Sequence, residues 1–343
     1  MNLNKKIEST LGLAAIADAM GAATENLTRA QIMDMYDGPV TDFKKPGVTA
    51  FALGNEAGEV TDDFSQIYFL SKSILKNGGK IDKQAVIQAI LDWSEVPRYF
   101  NRFAGPTTRT AIAMYKDPNT EMKPLPGAVT VDYASKATNG GAMKIAPAGL
   151  LHPGDIEGAI RDAICITSVT HDNSLAIAGA CAVAAATSAG LLESSSMDQV
   201  IAAGIYGAVR GYDIACVESR DVAGSSLIKR IHLAIAIANE PSTKEQRLQK
   251  LADIIGNGLH VCEAVPCAFG IMELNKDSAM QAVYDAVNIG YDTDTIATIV
   301  ATMVGPFVDT EDAHYQELFK KVQEMNNMDI VQLAKDLTEV VNG

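Results

Sequence analysis

Two short stretches gather oxygen ligands at the mouths of helices. The first, Gly290-Tyr291-Asp292-Thr293-Asp294-Thr295, runs into the apolar segment Ile296 to Val304. The second, Val60-Thr61-Asp62-Asp63-Phe64, opens the apolar helical run Ile67 to Leu75. Asp and Thr at a helix start also serve as ordinary caps, because their oxygens accept from the first unpaired N–H groups. A cap needs one oxygen, whereas each stretch supplies two carboxylates that repel one another unless a cation or donors neutralise them. Two such clusters facing each other would hold one or two divalent cations, and hard oxygen ligands suit Mg²⁺ or Mn²⁺.

Other polar residues stand out against apolar surroundings. Asp18 interrupts the apolar face of Ile7 to Met20 near its end, where an exposed or capped carboxylate would be ordinary. Glu25 follows in a loop and, on residue type alone, reads as solvated surface. In Asn139-Gly140-Gly141 the glycines allow close approach of backbone to a ligand, and N–H groups at the next helix start could bind phosphate. A simple turn into a helix explains the same residues equally well. The match to GxGxxG is poor and no strand precedes it, so a dinucleotide fingerprint is excluded. Thr170-His171-Asp172 breaks two very apolar helical runs. Polar residues there would be costly to bury without partners, so the break is expected to line a cavity, with His171 hydrogen-bonding a substrate or orienting a ligand.

Five segments occur in an order that resembles the ADP-ribosylglycohydrolase family, the hydrolases related to dinitrogenase reductase-activating glycohydrolase. They are Ala17 to Glu25 (ADAMGAATE), VTDDF, Asn139 to Pro147 (NGGAMKIAP), Thr170-His171-Asp172 and GYDTDT, and they span nearly the whole chain. Glu263-Ala264-Val265-Pro266 is similar to a family segment that packs near the site. The resemblance implies a compact, single-domain orthogonal helical bundle over residues 1–343. It implies a metal-ligand set of Thr61, Asp62, Asp63, Asp292, Asp294 and Thr295 around two Mg²⁺ ions, Mn²⁺ being the other candidate, with Asp18 in support. It places Glu25 at the metal site and the distal ribose, with Glu25, Asp62 and Asp63 positioning or activating water. Asn139, Gly140, Gly141, Met143 and His171 would line the ADP-ribose site. The implied reaction is magnesium-dependent hydrolysis of the glycosidic bond between ADP-ribose and an acceptor, either a modified protein side chain or a small molecule. Two departures from the family pattern, Phe64 after the aspartates and Tyr291 where a second Gly is usual, would put bulk beside the ribose. They leave open a smaller N-ribosyl substrate such as a nucleoside, and family membership alone leaves open a non-catalytic ADP-ribose-binding protein.

These groups need elements to position them, and the chain reads as all-α. Helical periodicity is expected over Ile7–Met20, Ser65–Lys76, Asp82–Trp93, from Gly105 through Met114, and from Asp155 to Ile166. It returns at Met197–Arg210, Ser225–Ala238, Lys244–Ile255, Leu259–Ile271, Ser278–Asn288, Ala313–Met325 and Met328–Val341. Leu175 to Leu192 is Ala-rich and reads as a buried core helix, not a membrane span. No strand-like alternation or repeat emerges. Residues Gly38 to Glu59 and Lys116 to Val131, rich in Pro and Gly, read as irregular connections.

The 343 residues are enough for a substantial core, and 48% are hydrophobic with only 6% aromatic. Small side chains on many segments suit closely packed helices. A formal net charge of −14 argues against nucleic-acid and anionic-membrane partners, which need clustered Lys and Arg. The five cysteines lack CxxC spacing and read as buried free thiols of a reducing, cytoplasmic compartment; no N-terminal segment has the make-up of a signal peptide.

Overall fold

A computed structural model describes every residue of 1–343 except 49, 125 and 126. Among the described residues the protein is all-α, with seventeen α-helices, no strand, and two isolated bridges, Thr138 with His260 and Asn173 with Arg220. Helix α1 (Leu3–Gly21) is capped by Asn2, whose side chain accepts from Lys5 N at 2.9 Å, and is buried almost throughout from Lys6 onward. Helices α2 (Arg29–Met35) and α3 (Asp62–Lys76) flank the expected connection 38–59, whose described residues form no helix or strand; Thr49 lies outside the description. Next come α4 (Lys83–Ser94), α5 (Pro97–Phe103) and α6 (Pro106–Lys116). The connection after α6 has no helix among its described residues until a 3-10 turn at Ala134–Lys136; Leu125 and Pro126, within the expected irregular stretch, lie outside the description.

A 3-10 turn over Asn139–Gly141 leads into α7 (Ala146–Leu150) and α8 (Ile156–Ser168). Helix α9 (Ser174–Gly190) is buried at every residue, as its Ala-rich sequence requires. Small residues let α10 (Met197–Glu218) lie very close against it: a Cβ on Gly207 would stand 2.4 Å from the Cys181 carbonyl oxygen, and one on Gly211 would stand 2.6 Å from Cys181 Cβ. By length and composition α10 is also apolar enough to cross a membrane, with 39% of its most apolar window buried. The remaining elements are α11 (Leu227–Ala238), α12 (Lys244–Lys250) continued by a π-turn at Leu251–Ile255, α13 (Val261–Leu274), α14 (Ala279–Val287), α15 (Thr293–Val304), α16 (Ala313–Asn326) and α17 (Ile330–Asn342).

Helices α1, α9 and α15 carry the most continuous burial and belong to one hydrophobic cluster. The expected helix boundaries fall within a few residues of the observed ones for most elements. The differences have local causes. α5, not among the expected helices, starts at Pro97, since Pro fits the first helical turn, where its missing N–H would be unpaired anyway. α10 runs on to Glu218 because Gly211, which looks like a stop in the sequence, is a contact point with α9. All five cysteines are free thiols.

Candidate active site

The end of α1 meets the start of α15, and this junction builds the site. A Cβ on Gly21 would lie 2.5 Å from Asp294 Cα, so only glycine lets the two backbones touch. The Thr293 hydroxyl donates to Gly21 O at 3.0 Å, and the Thr24 hydroxyl donates to Val287 O at 2.6 Å. The loop after α1 is then tied to the second motif by a reciprocal pair, Asn26 N to Tyr291 O and Tyr291 N to Leu27 O, both 2.8 Å. Gly290 has φ +90°, and a Cβ there would stand 2.9 Å from Leu27 O. Tyr291 itself is left-handed, at φ +62°. A non-glycine residue there costs about 1–3 kcal/mol and persists only where its surroundings fix it, here through the two bonds to the Glu25 loop.

Asp18 couples the first motif to the same junction. Fully buried, it accepts from Thr61 Oγ1 at 2.7 Å, from Thr61 N at 3.0 Å and from Phe64 N at 2.8 Å. It therefore caps the start of α3 from a helix 43 positions earlier in sequence. Asp62 and Asp63 occupy the first turn of α3, where the positive end of the helix dipole favours carboxylates.

Asp18, Glu25, Asp62, Asp63, Asp292 and Asp294 thus form one acidic cluster, with carboxylate oxygens of Glu25, Asp292 and Asp294 within 4.8 Å of one another. Burial and then the neighbouring Asp294 charge push Glu25 up to about 11 and Asp18 up to about 7. The same two causes hold Asp62, Asp63 and Asp292 well above the usual carboxylate range, and burial raises Asp294. Few donors answer this charge: Asn139 Nδ2 donates to Asp292 Oδ2 at 2.6 Å, and Thr295 N donates to Asp294 Oδ1 at 2.9 Å. Asp63 Oδ1 is buried with no hydrogen-bond partner. Repelling carboxylates with an orphaned oxygen fit a hard divalent cation, which neutralises the charge and takes oxygen ligands.

The cluster forms the floor of a cleft of about 260 Å³. Glu25, Asp62, Asp63, Asp292, Asp294 and Thr295 line it, as do Asn139, Gly140, Met143 and His171. Three other residues singled out in the sequence, Asp18, Thr61 and Gly141, stand back from it. The Thr61 hydroxyl points to Asp18 but is also 3.4 Å from Asp294 Oδ2. Gly141 packs against Thr167, whose Cγ2 would be 2.7 Å from an added Cβ. Gly140 has a specific packing role, because a Cβ there would come within 2.9 Å of the His171 ring. Burial, then the charge of Lys144, hold His171 well below its ordinary range, so the imidazole is neutral. Its nitrogens face Thr170 Oγ1 at 2.8 Å and Thr138 Oγ1 at 2.9 Å.

Three readings of the sequence need correction. Glu25 is 9% exposed, not solvated surface, because the Tyr291 pairing folds its loop over the acidic cluster. Phe64 is fully buried in the hydrophobic core and does not line the cleft, since its position in the first turn of α3 faces away from Asp62 and Asp63. Tyr291 is 47% exposed and also outside the cleft lining; its ring lies over Gly258 because the left-handed backbone turns it outward. Neither residue adds bulk to the lining of the cleft. Sequence reasoning also missed the wall from Arg102 to Thr108, together with Phe51 and Leu259 at 64% and 53% exposure. The available signal was Gly105-Pro106-Thr107-Thr108, an N-terminus with no side-chain cap.

A family model for ADP-ribosylglycohydrolase matches residues 1–343. The chain belongs to the ADP-ribosylglycohydrolase family. Among its relatives, the uncharacterised Escherichia coli (strain K12) protein YegU is 29% identical over 308 residues, covering 88% of this chain and 87% of that protein. An uncharacterised protein of Archaeoglobus fulgidus is also 29% identical, over 295 residues, covering 86% and 85%. A solved structure described as an ADP-ribosylglycohydrolase-related protein complex superposes with a TM-score of 0.67 at 20% identity, covering 99% of this chain and 98% of that one. That likeness concerns the fold, and it agrees with the all-α architecture expected from the sequence.

Proposed function

We propose that this ADP-ribosylglycohydrolase-family protein, acting as one domain over residues 1–343, hydrolyses the glycosidic bond between ADP-ribose and an acceptor, a modified protein side chain or a small molecule. The observation that carries the reading is the convergence of both Asp/Thr motifs and Glu25 on the floor of one cleft that His171 and Asn139 also line. Thr61, Asp62, Asp63, Asp292, Asp294 and Thr295 are the residues that would hold the cation, Mg²⁺ or Mn²⁺, with room in the donor set for two ions. When bound, such a cation neutralises the carboxylates, binds ribose hydroxyls and lowers the pKa of a coordinated water.

The chain's own groups supply the rest. Asp18 and the α3 N-terminus fix where Asp62 and Asp63 stand, and the Tyr291 pairing fixes Glu25. Glu25, Asp62 and Asp63 position the attacking water, and one of them, ionised once a cation offsets the cluster's charge, takes one proton from it. The buried carboxylates stabilise the oxocarbenium character that develops at the anomeric carbon. Asn139 holds Asp292 in its orientation. Because Phe64 and Tyr291 lie outside the cleft, nothing in the pocket singles out a shorter N-ribosyl substrate.

Incubation with a panel of ADP-ribosylated peptides and a panel of nucleosides, first with Mg²⁺ and then with EDTA, tests the proposal. EDTA-sensitive release of ADP-ribose is the expected result. Cation-dependent cleavage of nucleosides alone would move the assignment to the smaller substrate, and ADP-ribose binding without turnover to a non-catalytic role.

A further inference from the structure

Lys144 is buried at 2% exposure in the segment that follows the Asn139–Gly141 turn, and no step above uses it. Its ammonium makes two contacts, to Gln66 Oε1 at 3.1 Å and to Thr170 Oγ1 at 3.2 Å. An ammonium only donates, which gives both contacts a direction. On one side, Gln66 must present its carbonyl oxygen to Lys144 and therefore its amide to Asp62, whose Oδ2 lies 3.3 Å from Gln66 Nε2. On the other side, the Thr170 oxygen accepts from Lys144, and His171 Nδ1 at 2.8 Å is the one acceptor within reach of the Thr170 hydroxyl proton among the described residues, so the hydroxyl donates to Nδ1. With Nδ1 accepting, the neutral ring carries its proton on Nε2, which donates to Thr138 Oγ1 at 2.9 Å. The Thr138 proton is then free for an acceptor in the cleft that Thr138 lines.

We infer that Lys144 is a positioning residue that orients Asp62 through Gln66 and sets the His171 tautomer through Thr170. It touches neither the cleft nor any of the six metal-ligand candidates; its charge also acts through space on Asp62, Asp63 and His171, but loss of that positive charge alone would raise cation affinity, so a fall in affinity reports the orienting chains. The Asp62 arm rests on the cation reading of the proposed function, whereas the His171 arm does not.

The test uses the full ¹⁵N-labelled protein and the variants Lys144→Met and Lys144→Arg, with His171→Gln to assign the resonance. Beside Lys144 lie Phe69, Leu70 and Trp93, around a void of about 10 Å³, so methionine meets an apolar wall. In the unaltered protein, ¹⁵N NMR should show a protonated Nε2 and an unprotonated Nδ1 on His171. In Lys144→Met the buried Thr170 oxygen loses its donor and the ring N–H takes that place, so the two nitrogen resonances should converge or exchange; Lys144→Arg, still a buried donor, should keep the original pattern. Mn²⁺ affinity, measured with the metal alone, should fall about 10- to 100-fold in Lys144→Met, as for other groups that orient metal ligands. A protonated Nδ1 in the unaltered protein overturns the inference even if Lys144→Met does not fold. So does an unchanged tautomer in Lys144→Met, or unchanged Mn²⁺ affinity once the tautomer has moved, because both arms depend on one ammonium. If the unaltered protein binds no Mn²⁺, the cation reading fails and the tautomer measurement still decides this inference.

Discussion

Asp292→Asn separates a metal ligand from a structural carboxylate. Asp292 is 3% exposed, and Asn139 donates to it at 2.6 Å; an asparagine keeps both volume and an acceptor oxygen for that bond. It removes one charge from a cluster in which Glu25 and Asp294 oxygens lie within 4.8 Å of Asp292. In EDTA the variant should therefore melt at or above the temperature of the unaltered protein. With Mg²⁺ at roughly a hundredfold excess over the dissociation constant, the unaltered protein gains about 2.7 kcal/mol. A chain of 343 residues unfolds with an entropy of about 0.7 kcal/mol/K, so the gain appears as a rise of roughly 4 °C in Tm. If the substitution weakens binding about a hundredfold, the same Mg²⁺ concentration gives about 0.4 kcal/mol, a shift below roughly 1 °C. Differential scanning fluorimetry with EDTA and with Mg²⁺ reads both quantities. A full shift in the variant would refute the assignment of Asp292 as a ligand. A variant that melts several degrees early in EDTA would instead make Asp292 a carboxylate the fold depends on.

Asp18→Asn should behave oppositely, because asparagine keeps only one of the two oxygens that accept from Thr61 N, Thr61 Oγ1 and Phe64 N; an expected loss of about 1–3 kcal/mol should appear in urea unfolding with or without cation. Gly21→Ala should cost about 1–3 kcal/mol by forcing α1 and α15 apart, and should also abolish the Mg²⁺ shift, which calorimetry with both ions would show. The pH dependence follows from carboxyls whose folded pKa is raised, Asp18 to about 7 and Glu25 to about 11. Above the unfolded value of about 4, the folded state binds more protons than the unfolded one, so stability present below that pH is lost as pH rises toward the folded values. In EDTA the urea midpoint should fall between roughly pH 5 and 8, with a slope of up to about 1.4 kcal/mol per pH unit for each group, and saturating Mg²⁺ should flatten it. A midpoint that rises across that window would contradict the arrangement of the cluster.

What the sequence disclosed and what it hid divide by range. The long helices were legible because apolar spacing, caps and Gly or Pro stops are local; α9 was evident from its Ala-rich run alone. The short helices α2, α5 and α7 were not, having seven, seven and five residues and too little periodicity to count. The ligand-type residues were legible as an excess of carboxylate at two helix mouths. Their convergence was not, since it depends on Gly21 meeting Asp294 and on Asp18 capping a helix 43 residues away. Glu25 shows the same limit: its burial comes from the backbone pairing of Asn26 and Leu27 with Tyr291, and no residue near it in sequence reports that.

Tyr291 serves the cleft through its backbone and not its side chain. Seen as a departure from a Gly-rich pattern, it suggests a blocked pocket; in three dimensions its side chain points outward, and only its backbone serves the site. The left-handed conformation at φ +62° is what turns the 290–292 segment so that Asp292 faces Glu25 while Asp292 N donates to Asn257 O at 3.1 Å. A position can thus depart from the residue usual at a motif and still keep the backbone course of that motif, provided the departure concerns the side chain and the required geometry is imposed from outside. Here it is imposed by the loop that carries Glu25, so the strain at Tyr291 and the placement of the buried glutamate are two ends of one pair of hydrogen bonds.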